Sequence, residues 1–163
     1  MRLDLHTVIN DPGRVDFDCE IGLEGRALPS VVAFPSPARA SGSVVNSAGV
    51  LTLTGTLSVT PVFACDRCGR EFERETVFPL DVALAAELTD RENPDIFLLD
   101  GDFVDLDEIA ADAFVLGMDS KILCSEDCMG LCPRCGKDLN DGPCGCGAEP
   151  DSRLAVLGQL LSD

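Results

Sequence analysis

Through the first half of the chain, apolar and polar residues alternate with a period of two. Leu3, Leu5 and Ile9 predict a short first strand that breaks at the Asn10-Asp11-Pro12-Gly13 turn. Val15, Phe17, Cys19 and Ile21 then alternate with polar neighbours, as a half-buried strand does. Residues 35–43 (PSPARASGS) read as a loop, and 46–49 as a hairpin turn. Beyond it, Leu51, Leu53, Leu57 and Val59 share one face, while Thr52, Thr54, Thr56, Ser58 and Thr60 share the other. Gly55 interrupts the apolar row and predicts a bend or a close backbone approach; Pro61 predicts an edge position or a bulge. Alternation resumes with Phe72, Phe78, Leu80, Val82 and Leu84, with the less apolar Arg74 and Thr76 among them. The intervening CDRCG phrase is therefore expected at the tip of a long antiparallel hairpin, with Cys65 and Cys68 projecting from one end of the sheet.

Downstream the period changes. Residues 96–99 and 103–104 flank Asp100-Gly101, which suits a small hairpin turn. Asp105 stands as a helix N-cap, with Asp107 and Glu108 in the first turn opposing the helix dipole. Leu106, Ile109, Ala113 and Leu116 recur at helical spacing and predict a helix over 106–117. Residues 153–161 (RLAVLGQLL) predict a last short helix, apolar enough to dock on the sheet or on a partner. The expected fold class is α+β: mainly antiparallel β-sheet, a barrel-like arrangement among the expectations, one or two short helices, and a C-terminal cysteine-rich zinc module. The expected division is 1–123, a β-rich domain ending in a helix, and 124–163, a metal-binding module with a short C-terminal helix.

Composition supports a core but limits its character. The 163 residues are 45% apolar, yet contain no Trp or Tyr and only eight Phe, while 15 Gly and 10 Pro favour turns. No apolar run is long enough to cross a bilayer, and MRLDLHTVIN lacks the apolar core of a signal peptide, so a cytoplasmic location is expected. The net charge of −17 argues against sequence-independent binding to nucleic-acid phosphates, which needs a basic surface. Between Glu87 and Asp112 lie ten carboxylates and one base, Arg91. The order Asp100-Gly-Asp102-Phe-Val-Asp105 does not match an EF-hand loop, so a solvated acidic face is the expectation.

The cysteines carry the strongest chemical signal. Six of the nine fall between Cys124 and Cys146, separated by three, three, two, eight and one residues. CPRCG there and CDRCG at 65–69 are knuckles, in which a Gly lets the chain swing back behind two converging sulfurs. In a reducing compartment such thiols stay reduced or bind metal, and an odd count fits poorly with full pairing into disulfides. Eight candidates, Cys65, Cys68, Cys124, Cys128, Cys132, Cys135, Cys144 and Cys146, suffice for two four-thiolate sites, with zinc (one or two ions) the default. The favoured division places Cys132, Cys135, Cys144 and Cys146 on one ion and Cys65, Cys68, Cys124 and Cys128 on the other. A ribbon-type division would instead join Cys65/Cys68 to Cys132/Cys135 and leave Cys124, Cys128, Cys144 and Cys146 for the second ion. A single site with spare thiols and an iron–sulfur cluster use the same ligand types. Four thiolates leave no open coordination position, which marks a structural staple rather than a catalytic metal. Cys19 reads as a buried thiol outside these sets.

Catalytic motifs are absent from the sequence. The single histidine, His6, stands far from any Ser or Cys motif, and there is no phosphate loop, dinucleotide fingerprint or Gly-x-Ser-x-Gly elbow. No catalytic residue and no small-molecule substrate are expected.

The phrases CDRCGREF, VDLDEIAADAFVLGM and LCSEDCMGLCPRCGKDLNDGPCGC resemble the YceD family of bacterial proteins, named for large ribosomal RNA subunit accumulation. The Leu-Cys-Pro-x-Cys-Gly-x-Asp-Leu-Asn portion is the most specific, and the resemblance runs from about residue 45 to 160. Relatives tend to carry a proline-containing link where this chain has residues 118–122, and a larger apolar residue at Gly69. The resemblance implies a non-enzymatic cytoplasmic protein that supports 23S rRNA accumulation, with an assembly factor, a ribosomal protein or the 23S rRNA precursor as partner. Some relatives lack most of the C-terminal cysteines, which implies that the metal serves the fold. An acidic protein holds a basic protein more readily than naked RNA. Arg67, Arg70, Arg74, Arg134 and Lys137 are the candidates for local phosphate contact, against the simpler reading as ordinary surface charge. Two readings from other classes stand beside this one: a zinc-thiolate redox-sensing or chaperone-like protein, and an acidic interaction module for a basic partner.

Overall fold

The computed structural model describes residues 1–23, 28, 30–86 and 96–146. Along the chain run β1 (Arg2–Asp4), β2 (Gly13–Ile21), β3 (Val31–Ala33), β4 (Ala38–Ser47), β5 (Val50–Val59) and β6 (Val62–Ala64). They are followed by β7 (Glu71–Glu73), β8 (Thr76–Ala85), β9 (Ile96–Leu98), β10 (Phe103–Asp105) and the helix α1 (Leu106–Gly117). The main sheet has the order β2-β4-β5-β8-β9, antiparallel except for the β8–β9 pair. Two smaller sheets, β3-β6-β7 and β1-β10, complete the described strands. The strands do not close on themselves, so the barrel-like expectation is corrected. The main sheet ends at β2 on one side and at the three-residue β9 on the other, and α1 covers its apolar face instead.

The alternating pattern translates directly into burial. Leu51, Leu53, Leu57 and Val59 are buried from β5, and Phe78, Leu80 and Leu84 from β8. Each such side chain removed from water contributes about 1.5–3 kcal/mol. Phe114 of α1 is fully buried and sets its ring edge-on to Phe78 (centroids 5.3 Å apart) and to Phe34 (5.8 Å). Asp105 caps α1 by accepting from the Asp107 N–H at 2.9 Å. The buried residues of α1 are Leu106, Ile109, Ala110, Ala111 and Phe114, whereas Leu116, expected on that face, is 85% exposed. At 3.6 residues per turn, position 116 sits about 120° around the helix from Ala110, near the middle of the buried stripe, enough to leave it.

Residues 38–43, expected in a loop, are the first part of β4, which pairs along its length with β2 and β5. Ala38, Ala40, Gly42 and Ser43 are too small to give a visible apolar rhythm, and at Gly42 that smallness is required. Gly42 lies opposite Gly55 in register, and a Cβ on Gly42 would stand 2.2 Å from the Thr54 carbonyl oxygen and 2.6 Å from Gly55 Cα. A Cβ on Gly55 would stand 2.4 Å from the Ser41 carbonyl oxygen. The close approach expected at Gly55 is therefore present, with Phe17 lying over Gly42.

The long hairpin forms as expected. Its register runs from Leu51↔Leu84 to Val59↔Thr76 and resumes from Val62↔Glu73 to Ala64↔Glu71, with Pro61 at the break between the two sheets. The turn at 100–103 also forms, with Asp100 and Phe103 exchanging backbone hydrogen bonds at 2.8 and 3.2 Å. Its arms diverge, because β9 runs parallel to β8 while β10 pairs with β1. The helix expected over 153–161 lies outside the described residues, as does the acidic run 87–95. Among the described residues, no helix is long and apolar enough to cross a membrane.

Replacing Gly42 or Gly55 with Ala should destabilise the fold by about 1–3 kcal/mol through overpacking. A fall in the denaturant midpoint at unchanged slope is the expected readout.

Candidate metal centre

Both CxxCG phrases fold into the same knuckle. In the first, the Cys65 N–H donates to the Arg70 carbonyl at 2.9 Å and the Gly69 N–H to the Cys65 carbonyl at 2.8 Å. In the second, the Cys132 N–H donates to the Lys137 carbonyl at 2.8 Å and the Gly136 N–H to the Cys132 carbonyl at 2.9 Å. Gly69 and Gly136 adopt φ of +71° and +72°, a left-handed conformation that disfavours a side chain.

The first knuckle stands at the hairpin tip and meets the segment that follows α1. There Cys65, Cys68, Cys124 and Cys128 bring their sulfurs within 4.8 Å of one another. Asp66 joins the two pieces: its N–H donates to the Ile122 carbonyl at 2.8 Å, and its carboxylate accepts from the Ile122 N–H at 2.7 Å. Ser30 Oγ donates to the other carboxylate oxygen at 2.6 Å. Arg67 donates to the Cys128 carbonyl at 2.7 Å, and Arg74, stacked over Phe72, donates to the Leu123 carbonyl.

The second knuckle lies in a compact loop where Cys132, Cys135, Cys144 and Cys146 converge within the same limit. Lys137 Nζ donates to the Pro143 carbonyl at 3.0 Å, and a 3-10 turn over Leu139–Asp141 is capped by Asp138. The described cysteines thus fall into the favoured division and not the ribbon-type one. Cys19 remains apart on β2, half-buried, and burial pushes its thiol up.

The sulfurs of the first tetrad fit a single tetrahedral ion. Four thiolates each about 2.3 Å from such an ion stand about 3.8 Å from one another. Cys65 and Cys128 are 3.8 Å apart and Cys68 and Cys124 3.7 Å apart, and all nine cysteines are free thiols. The electrostatics also fit a cation. Burial raises the Cys65 thiol, but the amide donors of Cys124, Cys68 and Arg67 outweigh it and bring the thiol down to about 6. Amide donors of Cys135 and Arg134, helped by Cys144, bring Cys132 down to about 6 as well. Three other thiols shift the opposite way. Burial and then the neighbouring sulfurs push Cys124 up to about 12, and the Cys135 sulfur with burial pushes Cys146 up to about 12. Despite an amide donor from Arg70, burial and its sulfur neighbours raise Cys68. Each knuckle thus readies its first cysteine as a thiolate, and a divalent cation would overcome the burial and sulfur repulsion that raise Cys68, Cys124 and Cys146.

Arg67, Arg70, Arg74 and Lys137, candidates for phosphate contact, already hold loops. Arg67, Arg74 and Lys137 donate to backbone carbonyls, as above, and Arg70 pairs with Asp138 at 3.1 Å and Asp141 at 3.7 Å. The residues missed in the sequence are Asp66, Asp138 and Asn140. An Asx residue within or just after a knuckle is the turn signal that could have found the last two.

Cys68→Ser and Cys135→Ser should each remove one bound metal while sparing the other tetrad, and Cys19→Ser should remove none; native mass spectrometry counts the ions. Metal affinity should fall as pH falls, because the metal-free thiols hold more protons than the bound ones. Below about 6, where Cys65 and Cys132 also protonate, each tetrad displaces about one more proton, so the plot of log affinity against pH steepens. A metal titration at several pH values measures that slope.

A sequence model of the large ribosomal RNA subunit accumulation protein YceD matches residues 53–161. Among curated relatives, an uncharacterized protein of Mycobacterium bovis and its counterparts in two strains of Mycobacterium tuberculosis are each 29% identical over 164 residues. The alignments cover 97% of this chain and 73% of each relative. No solved structure matches the chain significantly. The matched region contains both knuckles, α1 and the whole cysteine block, and the chain belongs to the YceD family.

Proposed function

We propose that the protein is a non-enzymatic, cytoplasmic, zinc-binding accessory factor that supports 23S rRNA accumulation and large ribosomal subunit biogenesis. The observation that carries this reading is the family match over residues 53–161, since the family is described by large ribosomal RNA subunit accumulation. Zinc is favoured by the all-thiolate donor sets and the tetrahedral sulfur spacing. When bound, it supplies a redox-inert fixed point without an open coordination position, so the metal serves the shape of the surface. Cys65 and Cys68 then hold the hairpin tip against the segment after α1, while Cys132, Cys135, Cys144 and Cys146 hold the second loop.

The partner favoured by the charge is a basic ribosomal protein or assembly factor. At −17 the chain attracts a basic surface over a distance and repels bare RNA. The engagement of Arg67, Arg70, Arg74 and Lys137 within the loops supports the same choice.

A second reading draws on exposure. Cys135 and Cys146 are exposed while Cys65, Cys68 and Cys128 are buried, so a redox sensor would use the second tetrad. Mild peroxide would then release metal from that tetrad first and switch on binding of unfolded clients; retained metal would remove this reading.

Depletion of the protein should lower 23S rRNA and the yield of large subunits, and unchanged levels of both would overturn the leading proposal. Affinity capture should retain a basic protein after nuclease treatment, with association slowing steeply as salt rises. Loss of all partners on nuclease treatment would instead assign RNA as the direct ligand.

A further inference from the structure

The two tetrads meet at one side chain. Asn140 lies in the 3-10 turn between Cys135 and Cys144, yet its Nδ2 is 3.5 Å from the Sγ of Cys128 in the other tetrad. Its remaining bonds fix which way the carboxamide points. Oδ1 accepts from the Met129 N–H at 2.8 Å, a group that can only donate, and Nδ2 donates to Asp138 Oδ1 at 2.6 Å. The amide is therefore oriented with an N–H toward the sulfur.

Cys128 lies outside both knuckles. Cys65 receives N–H groups from its own knuckle, including those of Arg67 and Cys68. Cys124 and Cys128 are spaced by three residues and form no CxxCG knuckle. The surrounding bonds tie the loops together at the same point. The Leu131 N–H donates to the Arg67 carbonyl at 3.2 Å, the Leu139 N–H to the Gly130 carbonyl at 2.9 Å, and Arg70 pairs with Asp138. Gly130, at φ +72°, passes so close to Arg67 that a Cβ would stand 3.0 Å from the Arg67 carbonyl oxygen.

We propose that Asn140 is a positioning residue that couples the two metal sites: the loop closed by Cys132, Cys135, Cys144 and Cys146 holds its carboxamide, which donates to the Cys128 thiolate of the other site. A hydrogen bond to a bound thiolate offsets part of the charge of the four-sulfur site and holds the ligand in position. Metal in the second tetrad orders the turn that carries Asn140, and so slows the loss of metal from the first. This inference rests on the zinc reading above.

The test follows zinc transfer from the full-length, zinc-loaded chain to a chromogenic chelator. Cys68→Ser and Cys144→Ser chains assign the release phases to the two tetrads. Asn140→Asp keeps an acceptor for the Met129 N–H but removes the donor; Asn140→Ala removes the donor without adding charge. Both should speed release from the first tetrad about tenfold, the usual size for loss of an outer-shell bond to a metal ligand. With Cys144→Ser in the background, first-tetrad release should already be fast, and either Asn140 change should add less than about twofold. In the cadmium-113 spectrum of the loaded Asn140→Asp chain, the first-tetrad resonance should move while the second stays in place.

Wild-type release rates in both variants, or a full tenfold effect in both backgrounds, would overturn the coupling while leaving the metal sites standing. A wild-type chain that takes up no zinc would overturn the zinc reading and the coupling together.

Discussion

Mutual repulsion among four converging thiolates is the constraint on which the cysteine-bearing end of this protein depends. Two sulfurs stand at the tip of a long hairpin and two follow a helix, and they meet at the separation of ligands around one ion. Without a cation, amide donors favour the charged form of Cys65 and Cys132, while burial and neighbouring sulfurs oppose it at Cys68, Cys124 and Cys146. The polypeptide supplies convergence and one favoured thiolate per site; a bound cation offsets the mutual repulsion of the set. Asp66, Arg67 and Arg74 bind the same pieces through hydrogen bonds that need no metal. The junction is thus held in two ways, one sensitive to chelators and the other not.

The parts of the fold that were legible in the sequence have strong local signals. The face of β5, the Asp105 cap and the knuckles each follow from a few neighbouring residues, and the structure places them as read. What was not legible depends on partners far away in sequence. The start of β4 looked like a loop because its small residues carry no rhythm, and only the facing Gly55 explains why position 42 has no side chain. Leu116 looked like a core residue because helical spacing alone does not say where a stripe ends. The parallel pairing of β9 with β8 has no local sequence signature at all.

The cysteine block shows the same split. Spacing left the division into two sets open, and it took the approach of 122–128 to the hairpin tip to bring Cys124 and Cys128 beside Cys65 and Cys68. The family resemblance was readable because its phrases are contiguous, and the match over 53–161 follows them closely. The basic residues near the knuckles were readable as charges but not as loop fasteners. Their carbonyl and carboxylate partners include groups more than fifty residues away.

The long reach of the first tetrad sets an order of assembly along the growing chain. Residues 50–85 can pair as a hairpin as soon as they leave the synthesis machinery, but the tip thiols must wait for Cys124 and Cys128. The second tetrad closes a loop of about 15 residues and the first one of about 60, a difference of about 1 kcal/mol in closure entropy. The C-terminal loop is therefore the easier of the two to close, although it is made last. A nascent chain halted before residue 124 would carry a formed hairpin with two unclaimed sulfurs at its end, open to oxidation or to a stray metal ion.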